Sequence, residues 1–239
     1  MLLLLFKNIL VENIFRNCAL SGKYFPILGE KPVLVENILP THLPEVLYGS
    51  SEPSVSKQLS VLEKRGTIRK IAPRLYTSNL NEGAEVVVRR NLFSILGHLY
   101  PGSVLSHRSA LEFQPTSTGQ LFVTYQYMRK ASLPGITLRF LKGPGPIEGD
   151  NPVSGALYAS QRERALLENF QQSRKSGPDS KTLPLSRIEE RLEQIIRVNG
   201  EAALNAVRDR ARWVAEVLDM QQEFLKLNKT TILKEQSSK

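Results

Sequence analysis

The fold of this chain of 239 residues is constrained most by the run from Ser54 to Thr77, SVSKQLSVLEKRGTIRKIAPRLYT. Val55, Leu59 and Leu62 recur at helical spacing and should face a core. Gly66 suits the left-handed residue just past a helix end, so we expect the helix to stop there. A basic two-stranded turn should follow. This combination is the build of a winged helix, which makes nucleic acid the first partner to consider.

The outer face of that helix and the turn after it carry the residues expected to bind nucleic acid. A serine-rich, basic helix face fits base edges and phosphates in a major groove, and a basic wing tip fits phosphate. Thr67 to Ile71 and Leu75 to Ser78 should be the wing strands. The alternative is an ordinary amphipathic helix with a hairpin that binds protein instead of DNA. The predicted DNA contacts are Ser54, Ser56, Lys57, Ser60 and Lys64 on the helix and Arg69, Lys70 and Arg74 on the wing.

Charge and cysteine content narrow the class of protein. The formal net charge is +9 and the pI is near 9.7, which favours an acidic polymer or surface as partner. The single cysteine, Cys18, leaves no disulfide pair and no CxxC motif within this sequence. Lys7 interrupts the apolar start MLLLLF too early for a membrane span or an ordinary signal peptide. We therefore expect a cytoplasmic protein with no membrane partner.

Prolines and glycines divide the chain into four predicted parts. Residues 1–40 are a variable N-terminal segment, in which KNILVENIF at Lys7 to Phe15 recurs as KPVLVENIL at Lys31 to Leu39. Two copies do not make a solenoid, and a chance echo or a small duplication is the favoured explanation. Residues 41–80 are the predicted winged helix-turn-helix, with its short first helix between Thr41 and Gly49.

Residues 85–145 are predicted to be a small α+β module with antiparallel strands. Glu85 to Leu99 carries one apolar face and should be a single helix, and a short helix should begin near Ser106. Gln120 to Tyr127 and Ile136 to Leu141 are rich in β-branched and aromatic residues and should be two strands separated by a turn segment.

Residues 154–236 are predicted to be a helical region. It follows a glycine- and proline-rich linker from Lys142 to Val153, and its first helix is expected at Ala156 to Phe170. Three more helices are expected, at Ser186 to Asn199, Glu201 to Leu218 and Gln221 to about Leu233. The predicted class is therefore α+β, with an N-terminal winged helix-turn-helix, a middle α+β module and a C-terminal helical region.

The sequence offers no constellation typical of catalysis or metal binding. His42, His98 and His107 stand apart from cysteines and carboxylates at ligand spacing. A GxSxG elbow, a phosphate-binding loop and a dinucleotide fingerprint are all absent from the sequence. His107 is interpreted as a structural histidine, with a partner contact or a helix cap as alternatives. We therefore expect no catalytic residue, no metal and no cofactor, and a protein that is not an enzyme.

A family resemblance rests on four segments taken in order. They are SVSKQLSVLEKRGTIRKIAPRLYT, RRNLF at Arg89 to Phe93, VLSHRSALEF at Val104 to Phe113 and LPGITLRFLKGP at Leu133 to Pro144. These segments lie between residues 54 and 144 of the chain and resemble the AbiEi-type antitoxins of bacterial abortive-infection systems. The resemblance implies a winged helix joined to an antitoxin domain, promoter binding, negative autoregulation and neutralisation of a partner toxin.

The last third is similar to the region that precedes the catalytic domain in Fic-family proteins with an AbiEi-like N-terminus. The similarity lies in YASQRERALLENFQQSR, Tyr158 to Arg174, and in the stretch from Leu185 to Arg212. Fic proteins transfer AMP to target hydroxyls with an HPFxxGNGR motif, which this sequence lacks. Their inhibitory motif is not transferred either, because Arg164 stands where the family has Ser or Thr before Glu168-Asn169.

Two functions are therefore expected. The first is a DNA-binding transcriptional regulator of AbiEi antitoxin type, autoregulatory and partner-neutralising. Its partners would be double-stranded DNA and a toxin or a Fic or nucleotidyltransferase protein. The alternative is a regulatory or protein-interaction module of a truncated or split Fic-type AMP-transferring protein, without catalysis of its own.

Overall fold

A computed structural model of the chain describes residues 43–237. The predicted N-terminal segment of residues 1–40, with its repeated motif, lies outside the described residues. Within 43–237 the chain has eight α-helices and two β-sheets. The predicted α+β class is confirmed at this level.

The elements fall into a strand-rich first part and a helical last part. The helices are α1 (Pro53–Lys64), α2 (Ala84–Arg90), α3 (Leu92–Leu99), α4 (His107–Glu112), α5 (Arg162–Asn169), α6 (Leu185–Asn199), α7 (Glu201–Leu218) and α8 (Gln221–Ser237). The strands are β1 (Val46–Tyr48), β2 (Arg69–Ala72), β3 (Leu75–Thr77), β4 (Val104–Leu105), β5 (Gln120–Tyr125), β6 (Arg129–Leu133), β7 (Ile136–Lys142), β8 (Asn151–Ser154) and β9 (Leu157–Ala159). One 3-10 turn spans Gly177–Asp179.

The first sheet is antiparallel, with strand order β1-β3-β2, and α1 connects β1 to β2. Pro53 occupies the first turn of α1, where its fixed φ is favourable and its missing N–H costs nothing. Leu59 and Leu62 are buried as predicted. Gly66 adopts φ +70° just past the helix, as expected for a residue that ends it.

The predicted first helix between Thr41 and Gly49 is wrong over its described part. The structure places β1 at Val46–Tyr48 instead, paired with β3. Val, Leu and Tyr suit a half-buried strand, and the pairing satisfies backbone groups that a short helix would leave open. Long-range pairing therefore overrides the weak local helical pattern.

The second sheet has six strands in the order β6-β7-β5-β4-β9-β8. The predicted antiparallel pairing of β5 with β7 is wrong, because these strands are parallel and Gln120 lies opposite Thr137. The segment predicted as a turn contains β6, which pairs antiparallel with β7. Pro134-Gly135 connects the two strands, and Gly135 has φ +71°, which fits the third residue of a type II turn.

The predicted helix from Glu85 to Leu99 is two helices, α2 and α3. Asn91 breaks it with φ −103° and ψ 12°. Its side-chain amide donates to the Val87 carbonyl at 3.0 Å and to Glu45 Oε2 at 2.8 Å. Such local side-chain bonds compete with a continuous helix, which explains the break.

The linker predicted from Lys142 to Val153 and the helix predicted from Ala156 to Phe170 are also corrected. The linker ends in β8, and the start of the expected helix is β9, so α5 begins only at Arg162. Val104 lies opposite Tyr158 in a parallel pair of β4 with β9. This pairing extends the sheet beyond residue 145. The domain limits 41–80, 85–145 and 154–236 stay a prediction.

Two hydrophobic cores hold these elements. The first contains residues of the small sheet, of α2 and α3 and of the six-stranded sheet, among them Leu75, Val88, Ile95, Leu96, Leu121, Leu138 and Phe140. The second lies among α5 to α8 and includes Leu166, Leu192, Leu204, Val207, Val214 and Leu227. The small sheet therefore shares one core with α2, α3 and the six-stranded sheet.

Candidate nucleic-acid interface

The outer face of α1 gathers all five predicted helix contacts. These exposed residues are Ser54, Ser56, Lys57, Ser60 and Lys64. They share a face because Leu59 and Leu62 hold the opposite side of the helix against the protein. Within residues 43–237 the ammonium groups of Lys57 and Lys64 form no hydrogen bond or ion pair, so both charges are available to an anion.

The three serine hydroxyls already donate hydrogen bonds inside the chain. Ser56 Oγ donates to the Ser50 carbonyl and Ser60 Oγ to the Ser56 carbonyl, each at 2.9 Å. Ser54 Oγ donates to Glu52 Oε1 at 2.5 Å. A hydroxyl keeps two acceptor lone pairs after donating, so these serines present acceptors to a ligand. The lysines remain the groups suited to phosphate.

The hairpin adds two exposed cations beside α1. Lys70 lies on β2 with its side chain exposed, and Arg74 lies in the turn between β2 and β3. Arg74 adopts φ +61°, and its Nε donates to the Gly49 carbonyl at 3.2 Å. The Gly49 N–H donates to the Arg74 carbonyl at 2.8 Å. Arg74 therefore also ties the hairpin turn to the end of β1.

Arg69 does not lie at an exposed tip with Lys70 and Arg74, and its contact with DNA stays a prediction. Its side chain is half-buried, and its Nη2 donates to the carbonyl of Glu82. Its Nε is buried without a hydrogen-bond partner in the described part of the chain. Arg69 thus joins the hairpin to the segment before α2. Its strand position opposite Thr77 points it inward, away from the face that holds Lys70.

Arg65 belongs to this basic surface, although helix-face spacing did not select it. It caps the C-terminus of α1 and is exposed. Its guanidinium forms no ion pair with any side chain from residue 43 to residue 237. The Lys64-Arg65 pair in the last turn was the sequence pattern that could have identified it, since cations are favoured at helix C-termini.

A carboxylate and amide cluster fixes the junction between the small sheet and α2. Arg90 forms ion pairs with both Glu45 and Glu82. Hydrogen bonds from Arg90, Asn91 and Asn79 lower the pKa of Glu45 from 4.5 to about 2. The single positive charge of half-exposed Arg90 therefore offsets one of the two negative charges of Glu45 and Glu82.

His107 is buried and fully hydrogen-bonded. Its Nδ1 lies 3.1 Å from Ser106 Oγ and its Nε2 lies 3.0 Å from Gln171 Oε1. Gln171 Oε1 is an acceptor that also receives Lys181 Nζ at 2.9 Å, so the Nε2–H tautomer fits. Burial lowers the pKa of His107. The geometry agrees with a structural histidine.

Arg164 lies at the centre of a buried ion network. Its Nη1 contacts Asp150 Oδ2 at 2.5 Å and its Nε contacts Glu168 Oε1 at 2.9 Å. Glu168 Oε2 accepts the backbone N–H of His107 at 2.8 Å and the Ser160 hydroxyl at 3.0 Å. The network joins α5 to the start of α4 and to the loop before β8. Every charge in it has a partner, which is typical of a structural role.

Between residues 43 and 237, no group of three or more His, Cys, Asp or Glu side chains is placed to hold a metal ion. None of the helices in that part of the chain has the length and apolar content needed to cross a membrane.

Comparison with protein-family models and with curated proteins finds no match for this chain. Its function is therefore inferred from its own residues and contacts.

Proposed function

We propose that this chain is a cytoplasmic, DNA-binding transcriptional regulator of antitoxin type, and that α1 and the β2–β3 hairpin form its DNA-binding surface. One observation carries the proposal. A single short segment presents five exposed cations, Lys57, Lys64, Arg65, Lys70 and Arg74. The same segment carries two acids, Glu52 and Glu63. Such clustering of positive charge on one helix and hairpin suits a DNA backbone.

A winged-helix arrangement is supported by the topology of the small sheet. The strand order β1-β3-β2, with α1 inserted between β1 and β2, is the order expected when a recognition helix precedes a two-stranded wing. From residue 43 to residue 52 the chain contains β1 and no helix. The proposed contacts therefore come from α1 and the hairpin alone.

The proposed binding depends mainly on phosphate contacts. Five cations that each neutralise one phosphate give a slope of log affinity against log salt of about −4 to −5. The first turn of α1 carries no Arg or Asn for bidentate base contacts. We therefore expect affinity that falls steeply with salt and only modest discrimination between DNA sequences.

The test is fluorescence anisotropy of the full chain with a labelled duplex taken from upstream of its own gene. The double variant Lys57→Ala/Lys70→Ala should weaken binding and reduce the magnitude of the salt slope by about 2. Lys57 and Lys70 are chosen over Arg74 because their side chains hold no contact that the fold needs. Absence of binding at low salt would refute the proposal.

The matched control is Lys229→Ala, which removes one exposed charge from α8. It should leave both the affinity and the salt slope almost unchanged. Equal weakening by this control would show that net charge, and not the α1 surface, drives binding.

Autoregulation and toxin neutralisation are proposed on the AbiEi resemblance. Repression of a reporter under the chain's own promoter tests autoregulation.

A second candidate function is a protein-interaction module, as expected for a relative of Fic-associated regulatory regions. One observation favours it: Val86 and Phe113 are half-exposed apolar residues on either side of exposed Arg89. Exposed apolar residues beside an arginine are typical of protein interfaces. Binding of a neighbouring gene's product without any DNA binding would favour this function over the first.

A further inference from the structure

A shallow groove runs between α2, α3 and the end of α4. One part has a volume of about 310 Å³ and is bordered by Arg89, Phe93 and Phe113. An adjoining depression of about 460 Å³ lies along α2 alone and is bordered by Glu85, Val86, Arg89 and Arg90. Arg89 and Arg90 therefore border both depressions, beside Phe93 and Phe113 in the first and Val86 in the second.

Phe113 is held in an unusual conformation that leaves its ring half-exposed. It has φ +51° in the left-handed region, at the C-cap of α4, and its N–H donates to the Ser109 carbonyl at 3.0 Å. Its ring lies edge to face with that of Phe93, with centroids 6.2 Å apart. A bulky residue rarely adopts this conformation, and glycine would end the helix without strain. The strained backbone here presents an aromatic surface at the groove.

Arg89 is the uncompensated charge of the groove. Its neighbour Arg90 is already paired with Glu45 and Glu82. Glu85 lies one helical turn before Arg89, but its side chain folds over Gly135, where an added Cβ would meet Glu85 Cγ at 3.2 Å. Arg89 forms no ion pair among the residues that the structure describes. A carboxylate entering the groove would therefore meet an unpaired guanidinium.

We propose that this groove is a docking site for an acidic, apolar segment of a partner protein. A carboxylate of that segment would pair with Arg89, while apolar side chains on either side of it would cover Phe113 and Val86. Aromatic residues and arginine are the groups that contribute most to protein interfaces. A nucleic acid fits less well, because the groove offers one uncompensated cation, two apolar borders and the carboxylate of Glu85.

This inference rests on the partner-binding part of the proposed function and is independent of DNA binding. The test selects random dodecapeptides displayed on phage with the full chain as target, followed by anisotropy measurements with the enriched peptides. The enriched sequences should place Asp or Glu beside aliphatic or aromatic residues. Arg89→Glu should lower their affinity at least about tenfold.

A second variant separates binding from folding. Phe113→Gly removes the ring but accepts φ +51° without strain, so the fold should persist while peptide affinity falls. The matched control is Arg174→Glu, which reverses an exposed arginine outside the groove and should leave peptide affinity unchanged. Each variant's DNA affinity is measured in parallel on the same duplex.

Three results would overturn the inference, each in a different way. Enriched peptides that lack acidic residues, or that bind Arg89→Glu as tightly as the wild type, place partner binding elsewhere and leave the proposed function intact. Loss of DNA affinity instead of peptide affinity in Arg89→Glu assigns the groove to DNA. Failure to enrich any peptide removes both the docking site and the partner-binding part of the proposed function.

Discussion

Arg164→Met should be the most destabilising substitution in the buried ion network. Arg164 is 1% exposed and lies between the carboxylates of Asp150, 0% exposed, and Glu168, 5% exposed. Methionine matches much of the arginine's length but supplies neither its charge nor its donors. The variant would therefore leave two buried carboxylates without a cation, and the carbonyls of Pro144 and Gly145 would lose their guanidinium donors.

The expected loss is large compared with the stability of an ordinary domain. Removing one partner of a buried ion pair costs about 3–5 kcal/mol, because the remaining charge is desolvated and uncompensated. A domain of this size has about 5–15 kcal/mol of unfolding free energy in total. A loss of this magnitude lowers the melting temperature by roughly 6–20 °C.

Urea unfolding at neutral pH measures the loss directly. The matched control is Arg187→Met, because Arg187 pairs with Glu190 at 2.7 Å while both side chains are more than half exposed. An exposed pair contributes about 0–1 kcal/mol, so the control should lose little. The reasoning is refuted if Arg164→Met loses less than about 1 kcal/mol or no more than the control.

Adding Glu168→Gln to Arg164→Met gives a second, independent check. The double variant removes one of the two stranded charges, so its loss should be smaller than the sum of the two single losses. Additive losses would mean that Arg164 and Glu168 stabilise the fold separately and not as a pair.

Three further predictions follow from single contacts. His107→Gln should reduce the loss of unfolding free energy as the pH falls through about 6.5. Burial lowers the pKa of His107 in the folded chain, so the unfolded chain gains the proton first, and this difference contributes at most about 1.4 kcal/mol per pH unit. Urea unfolding on both sides of this pH measures it. Gly97→Ala should lose about 1–3 kcal/mol, since its Cβ would clash with the Ser154 carbonyl. Gly145→Ala is the control, because its Cβ would meet only one atom, at 3.8 Å. Glu45→Gln should reduce the loss of unfolding free energy between about pH 5 and pH 2. The pKa of Glu45 is about 2 in the folded chain, so the stabilisation by its carboxylate is lost as the pH falls through that value.

Local sequence patterns predicted the helices whose conformation depends mainly on residues close to each other in the chain. The spacing of Leu59 and Leu62 and the glycine stop at Gly66 located α1, and similar spacing located α6, α7 and α8. The elements that were missed depend on distant partners. The strand β1 exists because β3 lies beside it, and β9 because it pairs with β4. Such pairing leaves little trace in a window of neighbouring residues.

The candidate sites also contain some features that local spacing predicts and others that depend on contacts between distant residues. Helical spacing was enough to place Lys57 and Lys64 on one exposed face of α1. It could not show that Arg69 donates to a carbonyl thirteen residues further along the chain. The groove beside Arg89 was also hidden, because the left-handed conformation of Phe113 and the folding of Glu85 over Gly135 depend on tertiary packing.

The basic surface and the groove are joined through one core, which decides how they must be tested. Tyr48 of β1 stacks on His98 of α3 with ring centroids 3.7 Å apart, and Leu75 of β3 belongs to the same core as the residues of α2 and α3. A substitution in this core would loosen the sheet behind α1 and the helices that border the groove together. Loss of both DNA binding and peptide binding in such a variant would show a loss of folding and would not test either surface. Lys57 and Arg89 are exposed, so their substitution changes charge at one surface and leaves the shared core intact.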